Sequence, residues 1–173
     1  DKYLLGIIEL DDKGWFRHRS HVADVLAAVS RAAAPGGATV VVFVHGWHHS
    51  ARAADTNLLD FRTTLADLYD EMQLPIYRSA RRELKMSEEP LVIGLYVGWR
   101  GRSLPWIFDY LTFWDRKAAA IRVGHGDTTE LFARLDRLCR DDDTGRPNSN
   151  TLLTVGHSFD AQLVYAAQSD PLK

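Results

Sequence analysis

The sequence has very little cysteine and almost no net charge. Its 173 residues include one cysteine, Cys139, so neither an intrachain disulfide nor a cysteine-based zinc site can form. The 21 basic and 23 acidic residues give a formal charge of -2, which attracts neither nucleic acid nor an anionic membrane. No apolar run approaches the roughly 18 residues of a membrane span. We therefore expect a soluble protein, cytoplasmic rather than secreted, with no nucleic-acid partner and no membrane span.

Apolar residues, by contrast, are plentiful enough for one domain with a sizeable core, since 46% of the chain is hydrophobic. The runs TVVVFV (39–44) and LVIGLYV (91–97) have no polar side, which is typical of strands buried on both faces of a parallel sheet. Residues 3–10 and 151–155 are predicted to form two further strands. Because helical spacing separates these runs, the sequence predicts an α/β fold, with a mostly parallel sheet flanked by helices.

Helix boundaries can also be predicted from single residues. Ser20 is expected to cap the first helix and Asp55 the second. Asp127 and Glu130 have the spacing of a capping box at the start of a third helix. Residues 78–90 are so rich in charge that they are predicted to be a solvated connection.

The segment GHSFD (156–160) contains the residues on which a functional hypothesis can be based. It joins a predicted strand to a predicted helix, and a serine in such a turn has the position of the nucleophile in a nucleophile elbow. The turn exposes and aims the Ser158 hydroxyl, which is a weak nucleophile without help. The backbone N–H of Phe159 is expected to supply one donor of an oxyanion hole. His157 is expected to line the pocket.

A second loop, HGWHH (45–49), follows the buried strand 39–44. Gly46 allows the backbone to turn close to a substrate, and the N–H of Trp47 is the expected second oxyanion donor. His45 is expected to line the same pocket. Sites in parallel sheets lie beyond the carboxyl ends of the strands, so strands 39–44 and 151–155 should be neighbours.

Together the two motifs resemble the N-terminal part of the α/β-hydrolases. Short segments such as FVHGW, YVGWRG and LTFWDRKA resemble the sequences of a bacterial group of proteins described as esterases or lipases. The resemblance covers most of residues 3–168. It implies one α/β-hydrolase-like domain over residues 1–173, acting as a serine-dependent carboxylic ester hydrolase through an acyl-enzyme. The implied partner is a small-molecule ester, with no metal or organic cofactor. Because that family continues past the elbow helix, we expect the chain to be incomplete at its C-terminus.

Two departures from the family pattern leave alternatives open. The family's triad places its histidine after the serine, yet all seven histidines here precede Ser158, which makes His48 and His49 candidates for a substitute base. Asp160 stands where the elbow has a glycine. Its charge either opposes the developing oxyanion or orients a histidine. The competing hypothesis is a non-catalytic hydrolase-fold binding protein or an inactive fragment.

Two further possibilities concern metal and self-association. The spacing HxxHH lacks the glutamate that follows the first histidine of a zinc-protease helix, so no metal site is predicted. The strand 151–155 is apolar on both faces, and if it lies at the edge of the sheet it invites another strand. We therefore expect a homodimer formed through that edge.

Overall fold

The computed structural model describes residues 2–11, 15–45, 54–99, 127–141 and 143–156. In these ranges four strands form one sheet, in the order β1-β3-β2-β4. The strands are β1 (Leu4–Leu10), β2 (Ala38–Val44), β3 (Leu91–Trp99) and β4 (Thr151–Gly156). Each of the three neighbouring pairs is parallel. The predicted α/β class, with a mostly parallel sheet, is confirmed.

Helices cover both faces of this sheet. The described helices are α1 (Arg19–Ala33), α2 (Thr56–Met72), α3 (Pro75–Glu83) and α4 (Asp127–Leu138). Residues of α1 and α4 pack in one core cluster with the sheet, and residues of α2 pack in a second cluster on the opposite face. The connection from β1 to β2 crosses the α1 face and the connection from β2 back to β3 crosses the α2 face, so connections that run in opposite directions along the sheet use opposite faces. Within the described ranges, no helix combines the length and the apolar character needed to cross a bilayer.

The absence of a polar side on β2 and β3 is explained by burial from both sides. On the α1 face Val40, Val42 and Val44 are each at most 1% exposed. On the α2 face Val41 and Phe43 pack in the second cluster, together with Leu58, Phe61 and Leu65 of α2. The predicted central strands are therefore confirmed, and each extends by one or two residues beyond the apolar run.

Two of the local predictions were wrong. Residues 75–83 form the helix α3, so the connection predicted over 78–90 begins only after Glu83, although most of these residues are exposed as expected. Arg81 is 5% exposed, and its guanidinium donates to the carbonyls of Gly37, Ser87 and Glu89. Burial lowers the pKa of this guanidinium from its ordinary value. The charged stretch therefore contains a helix, and its Arg81 links the connection before β2 to the connection before β3.

Ser20 does not cap α1, since the helix already begins at Arg19 and His18 occupies the capping position. The start of α1 is held by Asp127 instead. One oxygen of the buried Asp127 carboxylate accepts the N–H of Phe16 at 2.7 Å, and the other accepts a guanidinium N–H of Arg19. Asp127 therefore joins the start of α4 to the start of α1, a use of this carboxylate that the predicted capping box did not include.

Asn150 fixes where β4 begins beside β2. Its side-chain oxygen accepts the backbone N–H of Ala38 at 2.9 Å, and its amide nitrogen donates to the carbonyls of Leu138 and Ala33. One side chain thus contacts the start of β2 and the ends of α4 and α1. The register between β2 and β4, which determines what meets at their carboxyl ends, is anchored here.

Candidate active site

The strands β2 and β4 are adjacent and parallel, as the sequence predicted. Their register pairs Thr39 with Thr151 and continues to Val44 with Gly156. The two strands therefore end at the same level, and adjacent strands lie about 4.8 Å apart. The carboxyl ends of β2 and β4 consequently lie side by side, at the same edge of the sheet.

His45 is the first residue after β2, and the structure buries it. It is 1% exposed, and its backbone N–H donates to the carbonyl of Val97 at 3.2 Å, which prolongs the pairing with β3 by one residue. Its ring stacks on Tyr96 with centroids 5.6 Å apart. Tyr96 in turn stacks with Phe43 at 5.7 Å, and Phe61 of α2 stacks with Phe43 at 5.3 Å. His45 thus completes an aromatic layer under the carboxyl edge.

The remaining predicted site residues lie outside the described ranges. They are Gly46, Trp47, His48 and His49 of the first loop, and His157, Ser158, Phe159 and Asp160 of the elbow. The described strands fix where both segments start. The geometry of the oxyanion donors and of the serine hydroxyl stays a prediction.

The first turn of α2 begins after the His-Gly loop and carries a polar group that sequence reasoning missed. Asp55 caps this helix as predicted, accepting the N–H of Asn57 at 3.0 Å. The side-chain amide nitrogen of Asn57 is buried, yet it finds no hydrogen-bond acceptor among the described residues. The sequence could have indicated the burial of this amide, because Asn57 lies four residues before Phe61 and therefore on the apolar stripe of the helix.

A separate groove lies at the other border of the sheet, between β1 and α1. Its volume is about 260 Å³. The residues that line it are Ile7, Glu9, His18, His21 and Val22. His21 Nε2 lies 3.0 Å from the carbonyl oxygen of Ile7, and Glu9 pairs with Arg17 at 3.7 Å. Two strand spacings, about 10 Å, separate β1 from β2. The groove is therefore distinct from the edge where β2 and β4 end.

Metal-ligating side chains do not cluster in the part of the chain that the structure describes. No group of three or more histidine, cysteine, aspartate or glutamate residues there is arranged to hold an ion. Chemically, the described edge offers buried aromatic side chains, the start of α2, and the ends of the two strands that precede the histidine and serine motifs in the sequence.

Searches among known protein families, curated proteins and solved structures find no match to this chain. The fold defines the class of protein as α/β, with a parallel sheet in which the adjacent strands β2 and β4 end at the same level.

Proposed function

We propose that this chain is a serine-dependent carboxylic ester hydrolase of α/β-hydrolase type. In this mechanism Ser158 attacks the ester carbonyl, the N–H groups of Phe159 and Trp47 hold the oxyanion, and water releases the acyl group. The reaction needs no metal and no organic cofactor. The substrate is a small ester whose acyl group enters a pocket lined by Gly46 and His157.

The observation that supports this proposal is the pairing of Val44 with Gly156. An oxyanion hole of this type takes one donor from the elbow and one from a loop after another strand, so the two strands must deliver their loops to one place. Two adjacent parallel strands that end at the same level of the sheet satisfy that requirement. An antiparallel pair, or two strands separated by β3, would have placed the loops apart.

The general base comes, in this proposal, from the first loop. His45 is buried and its ring is enclosed in the aromatic layer, so the proposal does not use it as the base. His48 and His49 follow it within four residues in the sequence, after the strand that pairs with β4. Each histidine should be replaced by alanine in turn, and the rate of ester hydrolysis measured. Loss of the general base should slow the reaction by roughly 100-fold to 10,000-fold, whereas loss of the other histidine should leave the rate nearly unchanged.

Two measurements test the activity. Hydrolysis of p-nitrophenyl acetate and p-nitrophenyl butanoate should disappear in Ser158→Ala and persist in Ser30→Ala, which changes an exposed serine on α1. A metal chelator should leave the rate unchanged. A fluorophosphonate should form an O–P bond with Ser158 and release fluoride and the hydroxyl proton, so that the peptide containing Ser158, and no other peptide, gains the mass of the reagent less that of HF. Loss of activity with the chelator would contradict this expectation and would point to a metal ion held by the histidines of HxxHH.

The second candidate is a hydrolase-fold protein that binds a small molecule or a partner without turnover. It is favoured by the carboxylate of Asp160 at the fifth elbow position. Absence of both ester hydrolysis and fluorophosphonate labelling would select this candidate.

We also propose that the chain pairs with a second copy of itself through β4. In the described sheet β4 pairs only with β2, and the side chains of Leu153 and Val155 are 45% and 46% exposed. Sheet edges that avoid association carry charges or proline, and the sequence of β4, TLLTVG, has neither. A twofold dimer is the simplest assembly that uses one such edge from each copy.

A further inference from the structure

The groove between β1 and α1 is a cavity that the proposed function does not use. We propose that it binds a small primary alkylammonium ion. The volume of the groove is about 260 Å³, and its lining residues are Ile7, Glu9, His18, His21 and Val22. Pockets for drug-sized ligands have volumes of about 300–1,000 Å³, so this groove suits a ligand with only a few carbon atoms.

Both walls of the groove belong to regular secondary structure. Ile7 and Glu9 lie on β1 and are paired in register with Tyr96 and Gly98 of β3. Val22 of α1 is 3% exposed and belongs to the first core cluster. The core therefore holds the two walls in place before a ligand arrives. Binding to such a preformed groove costs little ordering of the protein.

The groove is better suited to a small molecule than to an extended peptide. A peptide that adds to a sheet border needs free backbone acceptors on the border strand. The carbonyl oxygen of Ile7 already lies 3.0 Å from Nε2 of His21. The carbonyl oxygen of Glu9 already accepts the backbone N–H of Arg17 at 3.0 Å. These two carbonyls of β1 are therefore occupied by groups of the same chain.

The hydrogen bond to Ile7 determines what His21 offers to a ligand. Because a carbonyl oxygen only accepts, Nε2 of His21 carries the proton, and Nδ1 of the neutral ring is then an acceptor. Glu9 adds a carboxylate, which also only accepts. The ring of His18 is not used to cap α1, since no side-chain hydrogen bond caps that helix. The groove thus presents acceptors and one negative charge, which match a cation that carries N–H donors.

A primary ammonium group fits this set of acceptors better than a guanidinium group. It has three N–H donors, which can pair with acceptors on both walls of the groove. A guanidinium is planar and pairs best with both oxygens of a single carboxylate. The apolar side chains of Ile7 and Val22 provide contacts for the alkyl part of the ligand.

Arg17 shows that a cation reaches the carboxylate of Glu9. Its Nη1 lies 3.7 Å from Oε2 of Glu9, and both side chains are partly exposed. Hydrogen bonds between charged groups are usually about 2.7–2.9 Å long, so this pair is loose and the carboxylate keeps acceptor sites for a second cation. Arg17 should therefore compete with a bound ammonium ion, but only weakly.

Titration with n-butylammonium chloride at constant ionic strength, followed by NMR, tests the proposal. At pH 8 a primary alkylamine is protonated, whereas imidazole is in general neutral. The backbone resonances of Ile7, Glu9 and Val22 and the ¹⁵N resonance of His21 Nδ1 should shift and saturate. Tetramethylammonium has the charge but no N–H donor, and butanoate has the opposite charge. Both should bind at least about tenfold more weakly, since each loses hydrogen bonds to a charged group.

Two substitutions should change the affinity in opposite directions. Glu9→Gln keeps the volume and removes the charge, so it should weaken binding of n-butylammonium at least about tenfold. Arg17→Gln removes the competing cation and should tighten binding about twofold to fivefold, as expected for an exposed ion pair. Glu88→Gln is the matched control, because Glu88 also pairs with an arginine, Arg82, at 3.1 Å but does not line the groove. It should leave the affinity unchanged.

The ammonium group of a partner's lysine has the same chemistry as a free amine. Tighter binding of Nα-acetyl-lysine N-methylamide than of n-butylammonium would assign the groove to a lysine side chain, and equal or weaker binding would assign it to a free amine. The proposal is overturned if n-butylammonium causes no saturable shift at the lining residues, or if butanoate binds as tightly. Equal affinities in Glu9→Gln and Glu88→Gln overturn it as well. None of these results depends on ester hydrolysis, so the hydrolase proposal is tested separately.

Discussion

Leu65 of α2 lies directly over Gly94 of β3. A Cβ built on Gly94 would lie 2.2 Å from Cδ1 of Leu65 and 3.1 Å from a ring carbon of Phe61. The helix therefore approaches the sheet more closely at this position than any side chain on the strand would allow. Because Phe61 also belongs to the aromatic layer beneath the carboxyl edge, this close approach sets the height of α2 above the candidate site.

Gly94→Ala should consequently destabilise the protein by about 1–3 kcal/mol, the usual cost of overpacking a core. Urea unfolding measures it. Leu65→Ala alone leaves a cavity, whereas the double variant lets the new methyl group occupy that cavity. The double variant should therefore lose less stability than the two single losses added together. Additive losses would mean that the two residues do not meet.

Asn150→Asp should lower the free energy of unfolding by about 2–4 kcal/mol, because the carbonyls of Ala33 and Leu138 each lose one of their two donors and face a carboxylate. The change is nearly isosteric, so packing is preserved. Asn148→Asp is the control, since its amide bonds to the carbonyls of Leu138 and Arg140 are at an exposed position. Equal losses in the two variants would argue against a special role of Asn150 in aligning β4.

The sequence predicted the sheet better than it predicted the charged and polar parts of the chain. Long apolar runs identified β2 and β3, and the two chemical motifs required β2 and β4 to be neighbours, which the structure confirms. Hydrophobic patterning could not identify α3, because its inward-facing residue is Arg81. Nor could it show that β1 pairs with β3 instead of β2, since that order depends on how the crossovers pack.

The reactivity of the Cys139 thiol, which lies directly after α4, should depend on pH in a way that reports its burial. Burial raises the pKa of its thiol, the charge of Asp136 raises it further, and Arg140 partly opposes these effects. Only the thiolate is alkylated, so the rate with iodoacetamide should reach half its maximum at a higher pH in the folded protein than in urea. Asp136→Asn should lower that midpoint. A folded midpoint at or below the unfolded one would contradict the burial of this thiol.

The exposed edge of β4 predicts a mass that increases with concentration. Light scattering over the micromolar range should show dimers, and Leu153→Lys should shift the population to monomers, because an edge lysine opposes strand pairing. Leu59→Lys is the matched control, since Leu59 on α2 has nearly the same exposure, 46% against 45%. A monomer at every concentration in the unchanged chain would exclude the proposed dimer.

Asp160→Gly should accelerate ester hydrolysis if the carboxylate opposes the oxyanion. At about 6 Å and an effective dielectric constant near 20, the repulsion is about 3 kcal/mol, which corresponds to roughly a hundredfold in the acylation rate. Asp160→Asn separates charge from bulk, because it removes the charge and keeps the volume. An increase in both variants would identify charge as the cause, and an increase in the glycine variant alone would identify bulk. If both variants are slower than the unchanged chain, Asp160 takes part in the reaction, as it would by orienting His48 or His49 toward Ser158.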